Sequence, residues 1–327
     1  MADDLSSVSS DSSASWAENL VSFTADQMLE KGLLLAGIHT KRLESQKKET
    51  LVQTFIDRYG SRPVVYAQIW EDLQRTTVAE ALVPVKDRDK VDYFFMALHF
   101  LKRYYVESER ALIYGVDKTT VRKWTWYFIE KIQALKKEKI TWPEDDYGND
   151  KWIMSVDGVH CWCQEPKHEV WSMDTKYYSH KYASAGFDYE LGVSLSENRL
   201  IWMNGPFPAG TNDITIFKTK GLGEKLRELG KKAIADGGYH SIDDFDILTT
   251  PNSLDSKPVK KFKRRAQRRH ETFNNLVKNF DCTAQQFRHG EAKFAVCFEA
   301  CCVIAQYQME CGKVLFDIYV EGMQPKP

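Results

Sequence analysis

No run of this 327-residue chain approaches the ~18 consecutive apolar residues that a membrane-spanning helix needs. Cysteine is scarce and odd in number, seven in all, and Cys297, Cys301 and Cys302 fall in an apolar helical pattern. They read as reduced core residues of an intracellular protein, and a secreted disulfide framework is not expected. The opening segment MADDLSSVSSDSS has no basic residue and no apolar stretch, so no secretory signal is expected there. Residues 1–15 hold seven serines and three aspartates, too little apolar surface to offset chain entropy, and an acidic disordered tail over 1–21 is expected. Internal repeats are lacking. GLGEKLRELG, 221–230, has glycines without the Lys-Ser/Thr of a phosphate loop, which leaves nucleotide hydrolysis unsupported. Nor does one sign of charge dominate: 45 Lys+Arg meet 46 Asp+Glu, a net charge of −1 that hides a local asymmetry.

What is present is ordinary globular material, 43% hydrophobic and 28% charged, with nine Trp, fifteen Tyr and seventeen Phe for a large core. At ~100–200 residues per domain, two domains with tails are expected. Residues 22–88 show helical periodicity broken at Gly60-Ser61-Arg62-Pro63, with Leu51, Phe55 and Tyr59 on one helical face. The sequence assigns this region no role. Residues 89–140 follow with a helix in DKVDYFFMALHFLKRYY, a short helix around VESERALIYG, a turn at Gly115-Val116-Asp117 and a basic helix TTVRKWTWYFIEKIQAL capped by Asp117 or Thr119. This is the grammar of a helix-turn-helix, in which Lys118, Thr120, Arg122 and Lys123 stand near the start of a DNA-reading helix. The alternative is an all-helical packing unit with Trp124, Phe128 and Ile132 as its core. TWPEDDYGND, 141–150, reads as a linker.

From Lys151 the period changes. KWIMSVDGVHCW reads as a strand broken by Asp-Gly, and DYELGVSL and RLIWMNG as a hairpin. TNDITIFKTKGLGEKLRELG is helical behind a capping cluster of Thr211, Asn212 and Asp213. KKAIADGGY is a short strand, DDFDILTTP a further candidate, Pro258–Phe280 a basic helix, and EAKFAVCFEACCVIAQYQME an apolar helix that covers the sheet. The fold class is α/β, a mixed sheet over 151–315 behind an all-helical region, with a tail over 316–327.

Three acidic residues stand out by context. Asp157 and Asp236 each end an apolar run and precede glycine, and Glu271 lies in a helix, in RRHETFNNLVKNF. A lone Asp-Gly after a strand is ordinarily a turn. Strand ends that converge at one sheet edge, with a helix packed there, can instead gather carboxylates, and their repulsion calls for a divalent cation such as Mg²⁺ or Mn²⁺. Two such ions can activate water and stabilise a leaving oxygen. His160-Cys161-Trp162-Cys163 with His168 suggests zinc, but strand alternation turns His160 away from the two cysteines and no second ligand pair follows, so zinc is not expected.

SVDGVH, GPFPAGTNDITIF, AIADGGY and RRHETFNNLVKNF, in this order and spacing, resemble the catalytic blocks of the PIF/Harbinger-type DDE transposases over roughly residues 150–312. The resemblance implies an RNase H-like fold, an acidic triad Asp157, Asp236 and Glu271 holding two divalent ions, Mg²⁺ or Mn²⁺, and cutting of transposon ends followed by joining of 3′-hydroxyls to target DNA. Asp213 matches another recurrent family aspartate, either a supporting metal ligand or a helix N-cap, with the cap favoured. The resemblance further implies DNA and a separate Myb-like protein as partners, a homo-oligomer on DNA, and no membrane association.

The local charge asymmetry points the same way: KPVKKFKRRAQRRH, 257–270, holds eight Lys/Arg and no acid. A solvated face and a nuclear import signal are other readings of such a run. As a polyanion contact, Lys260, Lys261, Lys263, Arg264, Arg265, Arg268 and Arg269 would hold the DNA backbone rather than read sequence. The expected function is a nuclear, metal-dependent endonuclease/transposase; the rival is a domesticated, non-catalytic DNA-binding or scaffold protein.

Overall fold

A computed structural model describes residues 22–75, 90–143, 151–165, 174–239 and 247–318. The acidic tail, most of the linker, His168, the first part of DDFDILTTP and most of the C-terminal tail lie outside the described residues. The first half is helical: α1 (Ala25–Leu35), α2 (Thr40–Ser45), α3 (Lys48–Tyr59), α4 (Pro63–Arg75), α5 (Val91–Arg103), α6 (Glu107–Tyr114), α7 (Lys118–Ala134) and α8 (Lys136–Lys139). The break between α3 and α4 forms as the sequence requires. Gly60 takes the left-handed conformation that ends α3, and Pro63 opens α4. Asp117, not Thr119, caps α7: its carboxylate accepts from the amides of Thr119 and Thr120. Phe55, Tyr59, Trp70, Phe94, Phe95 and Phe128 are fully buried. Successive rings pack 4.9 to 6.1 Å apart, a core built mainly of aromatic area.

The second half carries β1 (Trp152–Trp162), β2 (Tyr178–Ser179), β3 (Ser184–Ser194), β4 (Leu200–Pro208), α9 (Asp213–Thr219), α10 (Leu222–Glu228), β5 (Lys232–Ile234), β6 (Leu248–Thr249), α11 (Lys257–Lys278), α12 (Asp281–Ala284) and α13 (Glu291–Glu310). The described strands run in the order β2-β3-β1-β5-β6, with β4 also paired to β3. β1, β3 and β4 are antiparallel neighbours, while β5 and β6 run parallel to β1. The mixed α/β architecture is as expected and is consistent with an RNase H-like fold.

One face of the sheet is covered by α11, α12 and α13, the other by α9 and α10. α13 also packs on α7, α8 and α4, so the helical half and the covered sheet face share one apolar core. Phe294 and Phe298 stack on Phe187 and Tyr189 of β3 at 4.8 and 4.1 Å. Glu299, buried in this seam, accepts from Gln133 at 2.5 Å and Tyr189 at 3.2 Å and pairs with Lys136. All seven cysteines are free thiols, and all but Cys311 are buried.

Candidate active site

β1 and β5 run parallel with Ser155 beside Ile234, so Asp157 within β1 and Asp236 just past the end of β5, each two residues further on, come side by side. The Asp157-Gly158 pair is not a turn. β1 continues through it, Asp157 opposite Leu191 and Gly158 opposite Glu190. The glycine has a steric reason: a Cβ on Gly158 would lie 2.5 Å from Oδ1 of Asp213. A Cβ on Gly238 would lie 3.0 Å from Oδ2 of Asp213 and 3.1 Å from Oδ1 of Asp236. Asp213 therefore fills the space between β1 and the turn after β5, and the two glycines admit it. This corrects the capping assignment. Asn212 is the N-cap of α9 and makes no side-chain cap bond, while Asp213 is the first helical residue with its carboxylate aimed at the other acids.

The electrostatics bear out this crowding. Burial first, then Asp236 and Asp213, push the Asp157 carboxyl up to about 7. Burial, then Asp188, and with a smaller effect Asp236, push Asp213 up to about 6. The amide of Asn274 donates to Asp157 Oδ2 at 3.1 Å, and the Gly238 amide donates to Asp236 Oδ1 at 2.8 Å.

α11 is docked across β1 and β5 by one face. Gln267 donates to the Ala235 carbonyl at 2.8 Å, His270 Nδ1 meets Ser155 Oγ at 3.0 Å, Asn274 reaches Asp157, and Lys278 meets Cys161 Sγ at 3.1 Å. Residues 267, 270, 274 and 278 recur at helical spacing on that face. Glu271 is exposed, next to His270 and one turn before Asn274. The structure thus brings Asp157, Asp213 and Asp236 near one another, and Glu271 stands exposed between Gln267 and Asn274, beside the docked face of α11. Among the described residues, no group of three or more His, Cys, Asp or Glu side chains is drawn together closely enough to hold a metal ion.

The basic run divides. Lys263 and Arg269 are 3% and 2% exposed, which removes them from the expected DNA-contacting set. Lys263 bonds Asp255 and the Thr250 carbonyl at 2.9 and 3.0 Å. Arg269 donates to the carbonyls of Ser194, Phe316 and Glu197 at 3.3, 2.8 and 2.6 Å. Arg265 donates to the Asp317 carbonyl, and Lys260 is half-buried. Lys257, Lys261, Arg264 and Arg268 are exposed, and their spacing sets them in one stripe that leads to Glu271. On α7, Lys118 and Lys123 are exposed, Arg122 makes a two-pronged bond to Glu107 at 2.9 and 2.6 Å, and the Thr120 hydroxyl donates to Asp117 at 2.5 Å.

Several residues escape sequence reasoning. Glu190 is 1% exposed; Trp202 Nε1 donates to its Oε1 at 2.8 Å, while its Oε2 has no partner. Burial, opposed by the Trp202 bond and reinforced by Asp213, raises its carboxyl to about 7. The buried Tyr239 hydroxyl also lacks a partner. Burial holds its pKa well up, and the charges of Glu190, Asp213, Asp157 and Asp236 add to that. A charged residue inside the apolar run of β3 was the available signal for Glu190; Asn274 gave none. Of the zinc candidates, Cys161 and Cys163 are buried, whereas His160 bonds Asp188 at 2.8 Å and stacks on Tyr182.

Residues 156–306 match the family model described as DDE superfamily endonuclease, a span that takes in Asp157, Asp213, Asp236 and Glu271. The match supports the DDE superfamily for this segment, and with it transposase or nuclease chemistry in general. No curated protein and no solved structure matches the chain. Endonucleases of this superfamily generally use divalent metal ions. The chemistry of the donor set suits such an ion: carboxylates supply only hard oxygen atoms, and the burial and neighbouring acids that raise Asp157 and Asp213 impose a cost that a divalent cation relieves.

Proposed function

We propose that this chain is a PIF/Harbinger-type DDE transposase, a metal-dependent nuclease that cuts phosphodiester bonds at transposon ends and joins the 3′-hydroxyls to target DNA. The observation that carries this reading is the set of facing carboxylates Asp157, Asp213 and Asp236, inside the matched segment and flanked by the exposed basic stripe of α11. An RNase H-like fold is part of the reading. The strand order, with three antiparallel strands followed by two parallel ones, supports it.

In this reading Asp157 and Asp236 hold the ions, with Glu271 completing the set and Asp213 supporting it. Two bound Mg²⁺ or Mn²⁺ ions supply activation of water and neutralisation of charge at the scissile phosphate. Asn274 fixes the orientation of Asp157, and the stripe Lys257, Lys261, Arg264 and Arg268 holds the DNA backbone. α5, α6 and α7 act as a helix-turn-helix, with Lys118 and Lys123 facing DNA. A Myb-like partner assists end recognition, the protein works in the nucleus, and it assembles as a homo-oligomer on DNA.

The test is nicking of supercoiled DNA carrying the element's flanks in Mg²⁺ and in Mn²⁺, beside a gel-shift. Nicking by the wild type that is lost in Asp157→Asn, Asp236→Asn and Glu271→Gln, with binding retained, is the expected result. Full nicking by Glu271→Gln removes Glu271 from the triad. Binding without nicking, even with the Myb-like partner added, assigns the chain to the rival class of domesticated DNA-binding or scaffold protein.

A further inference from the structure

Away from the carboxylates, an open cavity of about 330 Å³ lies where α8 and the segment after it meet β4 and α10. That volume falls in the range of small-ligand pockets. Two indoles line it, Trp142 and Trp202, with centroids 6.3 Å apart and planes at 88°. Three lysines line it as well, Lys136, Lys137 and Lys225, and no carboxylate does so among the described residues. Lys225 Nζ sits 4.6 Å from the Trp142 ring centroid, and Lys137 is exposed. Lys136 is committed to Glu299, so Lys137 and Lys225 are the cations best placed to meet an anion.

Two aromatic surfaces beside the positive charges of Lys137 and Lys225 match the two halves of a nucleotide, a planar base and a phosphate. A duplex presents its bases stacked and paired, so a base can meet an indole only where the strand is open or the base turned out. The cavity is also tied to the carboxylates. Trp202 donates to Glu190 at 2.8 Å, Glu190 is the register partner of Gly158, and Asp213 lies against Gly158.

We propose that this cavity is a binding site for one unpaired nucleotide of a DNA strand, its base against Trp142 and Trp202 and its phosphate against Lys137 and Lys225. The proposal rests on the DNA-processing reading above and adds where an opened strand is held.

The experiment uses the full chain and a single-stranded deoxyoligonucleotide carrying 2-aminopurine, with an otherwise identical abasic oligonucleotide and a free deoxynucleoside monophosphate as comparators. Quenching of 2-aminopurine on binding is expected, together with weaker binding of the abasic strand. Trp142→Ala should weaken the base-bearing strand by about fivefold or more, the scale of one base stacked on an aromatic ring, and leave the abasic strand unchanged. Trp142→Phe should restore part of that loss, and the thermal midpoint of each variant separates a folding defect from a lost contact. Lys137→Ala with Lys225→Ala should weaken both strands. Equal affinity of wild type and Trp142→Ala for the base-bearing strand, or no quenching, overturns the site. Binding of the free monophosphate as tight as that of the strand overturns the strand assignment. Nicking without single-strand binding refutes this site alone, whereas single-strand binding without nicking refutes the proposed activity and leaves the site standing.

Discussion

α7 and α11 both begin with clustered basic residues, and the two helices handle them differently. On α7 the polar atoms of the first turns are turned inward to local geometry: Asp117 ties down the amides of Thr119 and Thr120, and Glu107 grips Arg122. On α11 the cations sort by helical angle. Lys263 and Arg269 are buried and bonded to backbone carbonyls at the end of β3 and in the loops around the sheet, while Lys257, Lys261, Arg264 and Arg268 face outward. The run of eight cations thus divides into four that face outward and two that are buried, with Lys260 and Arg265 between them, and periodicity rather than count separates them. Adjacent residues in the sequence, Arg268 and Arg269, belong to opposite sets.

That adjacency makes the sharpest comparison. Arg269→Ala leaves three carbonyls without their donor and is expected to destabilise the fold by about 3 kcal/mol, read as a lower urea midpoint at unchanged slope. Arg268→Ala should stay within about 0.5 kcal/mol of wild type. Equal effects would mean that the burial pattern of α11 does not govern its cations. Next in size is a pH effect at the site that α11 covers. Asp157 sits above its ordinary carboxylate value, at about 7, so the folded chain binds more protons than the unfolded one between pH 4 and 7. By linkage its contribution to stability falls as pH rises through that window. Asp157→Asn should therefore gain stability relative to wild type on going from pH 5 to pH 8, and Mg²⁺ should stabilise the wild type more at pH 8 than at pH 5. Thermal melts at both pH values, with and without the ion, decide this; a pH-independent difference would sink it.

Smaller effects concern DNA. Replacing Lys257, Arg264 and Arg268 together with Ala should reduce the slope of log affinity against log salt by about 2–3, near one per phosphate contact, with little loss of stability. The same titration with Lys118→Ala and Lys123→Ala should change preference among sequences more than it changes the slope, because base-reading and phosphate-holding residues differ in that respect. Arg122→Ala is expected to have the least effect on the slope, since its guanidinium is already engaged by Glu107.

Much of this architecture was legible in the residues. Periodicity marks α3, α5, α7 and α11, a long apolar run marks α13, and the two β-like runs DYELGVSL and RLIWMNG mark the β3–β4 pair. The site was legible in part. Asp157 and Asp236 announce themselves by their place after apolar runs, and the parallel pairing of β1 with β5 brings them together. Three features were not readable. Asp-Gly at 157–158 has turn chemistry, but the need to admit Asp213 outweighs it and the strand runs on. Asp213 has the composition of a cap, yet a neighbour, Asn212, takes the cap position. Glu190 shows locally only as a charged residue inside the apolar run of β3, and its place beside Gly158, like the burial of Tyr239, comes from pairing and folding at long range.

The seam around Glu299 bears on how the molecule can be divided. Glu299 takes its partners from both halves, and α13 is buried from Cys297 to Met309 between α7 and α4 on one side and the sheet on the other. A chain begun at Lys151 would keep every candidate catalytic carboxylate but present the α7-facing side of α13 to water. Such a fragment is expected to be insoluble, and nuclease assays on it would report the loss of that cover rather than the chemistry of the site. The helical half is therefore a wall of the half that carries the carboxylates, and the two would have to be inherited, expressed and engineered together.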